Sequence, residues 1–303
     1  MLSVNQITAF DRSAATGREN NDANNKIRED IIQALYAQTV PEEFFADAEY
    51  GARWTQLNSK LPQLCPLPYS RLEIIQRAGR NYNYDFFVTY FDESNTQIYE
   101  VKLEFKFGAK SVESLPQVYQ KNTNWELIVD SEQNQTIGYH EFFYDNQLNE
   151  ILAVSAELFP QVTPVEKPDR ESYKKLVMRT DPSCHAFFQY LRDTECPRQN
   201  ALVKRSITEF LETHSKHFDI AAFTKTIQTT QEGKQYLLYD PVSANFYLES
   251  ADFTAGTMVF VGIEKGHTAV VRTEQYVFKL LLRWKNHQGV LNPAWQVSVK
   301  KSS

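Results

Sequence analysis

Charged and apolar residues alternate along Glu100–Phe107, which reads EVKLEFKF. Successive strand residues point to opposite faces, so Glu100, Lys102, Glu104 and Lys106 share one face and Val101, Leu103, Phe105 and Phe107 the other. Just upstream, DFFVTYF over Asp85–Phe91 is dominated by aromatic and β-branched residues. The polar Asp92, Glu93, Ser94 and Asn95 between the two runs predict a β-hairpin. With the turn centred near Ser94, antiparallel pairing sets Asp85 opposite Lys102 to Glu104.

The remaining pattern predicts further elements. Ile27, Ile31, Ile32, Leu35 and Tyr36 recur at helical spacing and predict an amphipathic helix over 25–38, behind a polar arm over 1–24. A strand near Leu72–Gln76 precedes the hairpin. Ser111–Asn122 reads as a short helix entered near Pro116, and WELIVD and YHEFFYD read as strands. Three prolines in PQVTPVEKPDRES, over 160–172, mark a connection between two halves, a core over 25–160 and a second α+β domain over 167–303. In the second half, helices are expected over 184–192 and 200–214. The runs QYLLYD, NFYLES, TMVFVGIE, AVVRTE and QYVFKLLLRWK then predict an antiparallel sheet.

Composition narrows the class. In 303 residues, 42% hydrophobic with 20 Phe and 16 Tyr, the chain can bury one large core or two modest ones and suits a mixed α and β fold. No run reaches the length of a membrane span, and the first residues lack a secretory leader's apolar stretch, so a soluble intracellular protein is expected. Three scattered cysteines, none in a C-x-x-C pair, argue against a disulfide framework and structural zinc. His214 and His217, three residues apart with no acidic partner, make a weak metal motif. The glycine signatures of nucleotide-driven motors, dinucleotide enzymes and common serine hydrolases do not occur. A net charge of -6 argues against a protein that coats nucleic acid nonspecifically, yet leaves room for a local cleft.

The hairpin carries the chemistry. Converging carboxylates of Asp85 and Glu104 would attract a hard cation such as Mg²⁺, which takes a few oxygen ligands and keeps waters and phosphate oxygens. Lys106, on the same face, could orient the attacking water and offset charge developing on a phosphate. Glu100-Val101-Lys102 is a rival pair on that face, farther from the expected partner of Asp85. A solvated outer strand face with cross-strand ion pairs is the plain alternative.

Asp85 at the start of one hairpin strand and Glu104-Phe105-Lys106 on the next resemble the PD-(D/E)xK restriction-endonuclease-like nucleases, although Tyr84 stands where the motif's proline would be. The resemblance implies a restriction-endonuclease-like core with a mixed sheet flanked by helices. It also implies Mg²⁺ held by Asp85 and Glu104, water positioned by Lys106, and hydrolysis of DNA to leave a 5′-phosphate, in one subtype as a type II restriction-like enzyme. It suggests Glu29 on the first helix as a further acid beside the metal and Gln117 as a support residue on the helix after the E-x-K strand. In the second half, Arg198, Lys204, Arg205, Arg283 and Lys285, with Lys102 on the hairpin, are weaker candidates for DNA contact. Dimerisation would suit cutting of both strands. A DNA-binding or assembly protein that keeps the fold without metal chemistry is the alternative function.

Overall fold

The computed structural model describes residues 10, 18–40, 42–48, 50–77, 82–122, 125, 127–130, 132–158, 160–161, 166–177, 197–250, 253, 256–286 and 291–302. Among them the chain is a mixed α+β protein, and no helix is long and apolar enough to cross a membrane. It does not divide at 160–172, as the prolines there suggest. Two compact units interleave in sequence: Met1–Leu115 with Thr229–Phe253, and Pro116–Gln228 with Thr254–Ser303. Proline-rich composition marks a loop, but which strands pair decides a domain, and that depends on contacts distant in sequence.

The first unit begins with α1 (Arg18–Tyr36), α2 (Gly51–Asn58) and the single turn α3 (Leu61–Leu64). Its sheet contains β1 (Arg71–Gln76), β2 (Phe86–Phe91), β3 (Gln97–Phe107), β7 (Lys234–Asp240) and β8 (Asn245–Ser250), in that order. All neighbours are antiparallel except β3 and β7, which run parallel. The sheet is therefore mixed. The β2–β3 turn is set by Asp92, whose carboxylate accepts the Thr96 N–H at 2.8 Å, and by Asn95, which takes the left-handed conformation (φ 62°) that asparagine tolerates.

One sheet face is apolar, as the alternation demands. Phe86, Val88, Tyr90, Val101, Leu103, Phe105, Leu237 and Tyr239 form a single core with Ile31, Ile32, Leu35 and Tyr36 of α1 and Trp54 and Leu57 of α2. The 1–24 segment is more than a polar arm, because Phe10 is fully buried. Its ring lies edge-on to Trp54 and Tyr239, at 5.3 and 5.1 Å. Arg28 anchors it by donating to the Phe10 carbonyl at 2.8 Å.

The second unit contains a wholly antiparallel sheet, ordered β4 (Tyr119–Asn122), β12 (Leu291–Lys301), β11 (Tyr276–Asn286), β10 (Thr268–Arg272) and β9 (Val259–Glu264). A short ladder joins β5 (Val129–Asp130) to β6 (Gln135–Thr136). Its helices are α4 (Tyr139–Asn146), α5 (Leu148–Leu158), α6 (Arg170–Val177) and α7 (Pro197–His214), while α8 (Ile220–Gln231) crosses the unit boundary.

Several expectations are corrected. YHEFFYD is helical, not extended: Tyr139, His140 and Phe143 are buried, a helical spacing that overrides the strand propensity of aromatics. Among the described residues of WELIVD, Val129–Asp130 form a short paired strand, beside an isolated bridge at Ile128. Within Ser111–Asn122 only Val112–Ser114 forms a helical turn, and Tyr119–Asn122 becomes β4. QYLLYD and NFYLES leave the second half to complete the first unit's sheet. The predicted helix over 184–192 lies outside the described residues, whereas that over 200–214 is α7.

Candidate functional site

The polar face of the first unit's sheet gathers the hairpin chemistry. Register pairs Phe86 with Leu103 and Phe87 with Lys102, so Asp85, one residue before β2, stands beside Glu104. Backbone bonds hold Asp85 at both ends: its N–H donates to the Leu103 carbonyl at 3.0 Å, and its own carbonyl accepts the Arg77 N–H at 2.7 Å. Its carboxylate Oδ2 accepts the N–H of Phe105 at 2.8 Å. The Asp85 side chain is thereby fixed against the segment Glu104-Phe105-Lys106.

Glu104 is buried at 8% exposure and is clasped by two ammonium groups. Lys106 Nζ pairs with its Oε1 and Lys234 Nζ with its Oε2. The two lysines differ in setting, since the Lys106 side chain is 31% exposed and that of Lys234 only 2%. Lys234 opens β7, opposite Lys102 across the parallel pair, and reaches diagonally to Glu104. Its ammonium lies 5.3 Å from the centre of the Tyr236 ring, whose hydroxyl donates to Gln231 Oε1 at 2.6 Å.

Electrostatics bind these groups together. Burial, and then the charges of Glu104 and Glu29, push the Asp85 carboxyl up to about 6 against the pull of Lys106 and the Phe105 N–H. For Lys106, burial works against the charged form, but Glu104, Asp85 and Glu29 outweigh it and hold the ammonium above its ordinary range. Burial dominates at Lys234 and lowers it, with Glu104 opposing. Glu29, on α1, is thus brought into the field of the pair, and its Oε2 accepts a hydrogen bond from Gln76 at 2.8 Å.

The rival pair stands apart. Glu100 is exposed, faces Thr89 in the register, and accepts a hydrogen bond from Gln97 at 3.1 Å. Four residues of strand, roughly 13 Å, separate it from Glu104. Lys102 donates instead to the Glu232 carbonyl at 3.3 Å. Gln117 is corrected: it lies on no helix but in the loop between the Val112–Ser114 turn and β4, within the second unit. Pro116 and the pairing of Tyr119–Asn122 with β12 keep that segment extended.

The basic candidates of the second half are scattered. Lys204 and Arg205 are exposed on α7, and Arg205 is paired with Glu150 and Glu209. Arg283 is exposed on β11 and donates to Gln296 at 3.1 Å. The side chains of Arg198 and Lys285 lie outside the described residues. Trp284 and Trp295 are buried and unavailable for stacking on bases. RWKN and LNPAWQ belong to the paired strands β11 and β12.

Lys234 escaped the sequence reading, although a signal was present. A lysine just before the continuous apolar run YLLY marks the start of a strand buried on both faces, where a charge needs a partner. Among the described residues no three His, Cys, Asp or Glu side chains are grouped to hold a metal. Asp85 and Glu104 still offer an all-oxygen pair of the kind Mg²⁺ uses alongside water and phosphate, provided Glu104 gives up one ammonium contact. No protein-family model matches the chain, and no curated protein matches it.

Proposed function

We propose that the Asp85–Glu104–Lys106 face is the active site of a metal-dependent endodeoxyribonuclease of the PD-(D/E)xK type. The observation that carries this reading is the Asp85 carboxylate hydrogen-bonded to the Phe105 N–H, between the acid and the lysine of the E-x-K strand. The sheet supports it as well: β1, β2 and β3 are antiparallel and β7 is parallel to β3, with α8 leading directly into β7. A parallel neighbour requires a crossover, which suits the restriction-endonuclease-like α-β-β-β-α-β order.

In this reading Asp85 and Glu104 hold Mg²⁺, which when bound acidifies water and neutralises charge on the phosphate. The Lys106 ammonium orients the attacking water. Oxygen of that water bonds to phosphorus, the bond to the 3′ oxygen breaks, and the products are a 5′-phosphate and a 3′-hydroxyl. Glu29 adds negative charge that keeps Lys106 protonated. Whether the enzyme is of the type II restriction-like subtype and acts as a homodimer belongs to the same proposal.

Both oxygens of Glu104 are engaged by ammonium groups, and this favours one second reading, a DNA-binding or assembly protein without metal chemistry. Purified protein is incubated with plasmid and single-stranded DNA, in Mg²⁺ and in EDTA, beside Lys106→Ala. The nuclease reading expects Mg²⁺-dependent cutting that falls by about 10²-fold or more in the variant, the scale of losing one transition-state charge partner. DNA bound but uncut under every condition would favour the second reading.

A further inference from the structure

Lys234 has no place in the E-x-K chemistry, yet it is the most deeply buried cation at the site. Its side chain is 2% exposed and its ammonium pairs with Glu104. Burial of an amine is costly, and a charge so enclosed is little screened by salt. It cannot swing out to a bound nucleic acid as the partly exposed Lys106 can. Whatever Lys234 does, it does through its charge on Glu104.

The charge balance shows the consequence. Asp85, Glu104 and Glu29 share one electrostatic field with Lys106, and Lys234 belongs to the same cluster through Glu104 and Asp85. Three carboxylates against two ammoniums leave one net negative charge when all are ionised. A divalent cation alone turns this centre positive by one. A divalent cation together with one phosphodiester makes it neutral.

We propose that Lys234 makes metal binding depend on nucleic acid: it holds Glu104 in competition with the cation, so that the divalent ion binds tightly only when a phosphodiester group arrives with it. Lys234 is a positioning residue here and does not touch the substrate. The inference rests on the nuclease reading of this site. Removing its charge brings the cluster to two net negatives, which a divalent cation neutralises unaided.

The test is calorimetric titration of Ca²⁺, a cation that takes the same oxygen donors, into the full chain with and without a duplex oligonucleotide. Wild type, Lys234→Met and Lys234→Arg are compared after their thermal melts are matched. The proposal expects the oligonucleotide to tighten Ca²⁺ binding to wild type by about tenfold or more, in line with ordinary coupling between sites. Lys234→Met should bind Ca²⁺ about tenfold tighter than wild type without the oligonucleotide and gain little from adding it, while Lys234→Arg should behave as wild type. Equal Ca²⁺ affinity of wild type with and without the oligonucleotide overturns the proposal whatever the variants do, and leaves the nuclease reading standing. Unaltered or weaker affinity in a folded Lys234→Met also overturns it. No binding of Ca²⁺ by any form, with or without DNA, overturns both.

Discussion

Replacing Asp85 by asparagine should stabilise the protein while destroying its proposed activity. The carboxyl rises from 3.8 to about 6, chiefly through burial and then through Glu104 and Glu29, with Lys106 already counted against the rise. Between those two values the folded chain keeps a proton that the unfolded chain has lost. The stability contributed by this group is therefore complete below 3.8 and gone above 6. At about 1.4 kcal/mol for each pH unit, ionised Asp85 costs the native state on the order of 3 kcal/mol at pH 8. The asparagine side chain keeps an oxygen to accept the Phe105 N–H and removes the charge.

Urea unfolding at pH 8 should show Asp85→Asn more stable by about 1–3 kcal/mol at an unchanged slope, with the gap narrowing as pH falls towards 4. The substitution should also abolish Mg²⁺-dependent cleavage and any stabilisation by Mg²⁺. A variant equal to or less stable than wild type at pH 8 would refute the reasoning, because the Asp85 charge would then be supported by its surroundings rather than strained by them.

Other perturbations separate the site from the scaffold. Glu100→Gln should leave cleavage within about twofold of wild type, as measured by plasmid nicking, because Glu100 is exposed and faces Thr89. Phe10→Ala should lower stability by about 3–5 kcal/mol in chemical denaturation, the cost of emptying a buried aromatic site. Gly51→Ala should lower it by about 1–3 kcal/mol, because a Cβ there would overlap the Phe45 carbonyl oxygen, and backbone must move to admit it.

How much of this was legible beforehand depends on the range over which each feature is set. The hairpin, its register and the facing of Asp85 with Glu104 follow from alternation and a short polar turn, both local, and the structure has them as expected. The helix over 25–38 follows from its apolar spacing; the observed helix, Arg18–Tyr36, starts earlier and ends two residues sooner. Glu29 came from a family resemblance and not from the pattern, and only the docking of α1 brings it near Asp85 and Lys106.

Strand β12 was not among the strands expected from the sequence, and its Pro293 is a residue that central strands disfavour. Among the described residues, β4 pairs with Ala294–Val297 of that strand. The sequence alone determined the two faces of β3 and the acids and lysine that share one of them, since side-chain direction in a strand is a two-residue property. Tertiary structure alone decided that this face is buried at Glu104, although it stays exposed at Glu100, and that Lys234, far along the chain from Glu104, completes the cluster. A parallel neighbour can be any strand reached by a crossover, so no local pattern around Glu104 specifies which one arrives or what charge it brings.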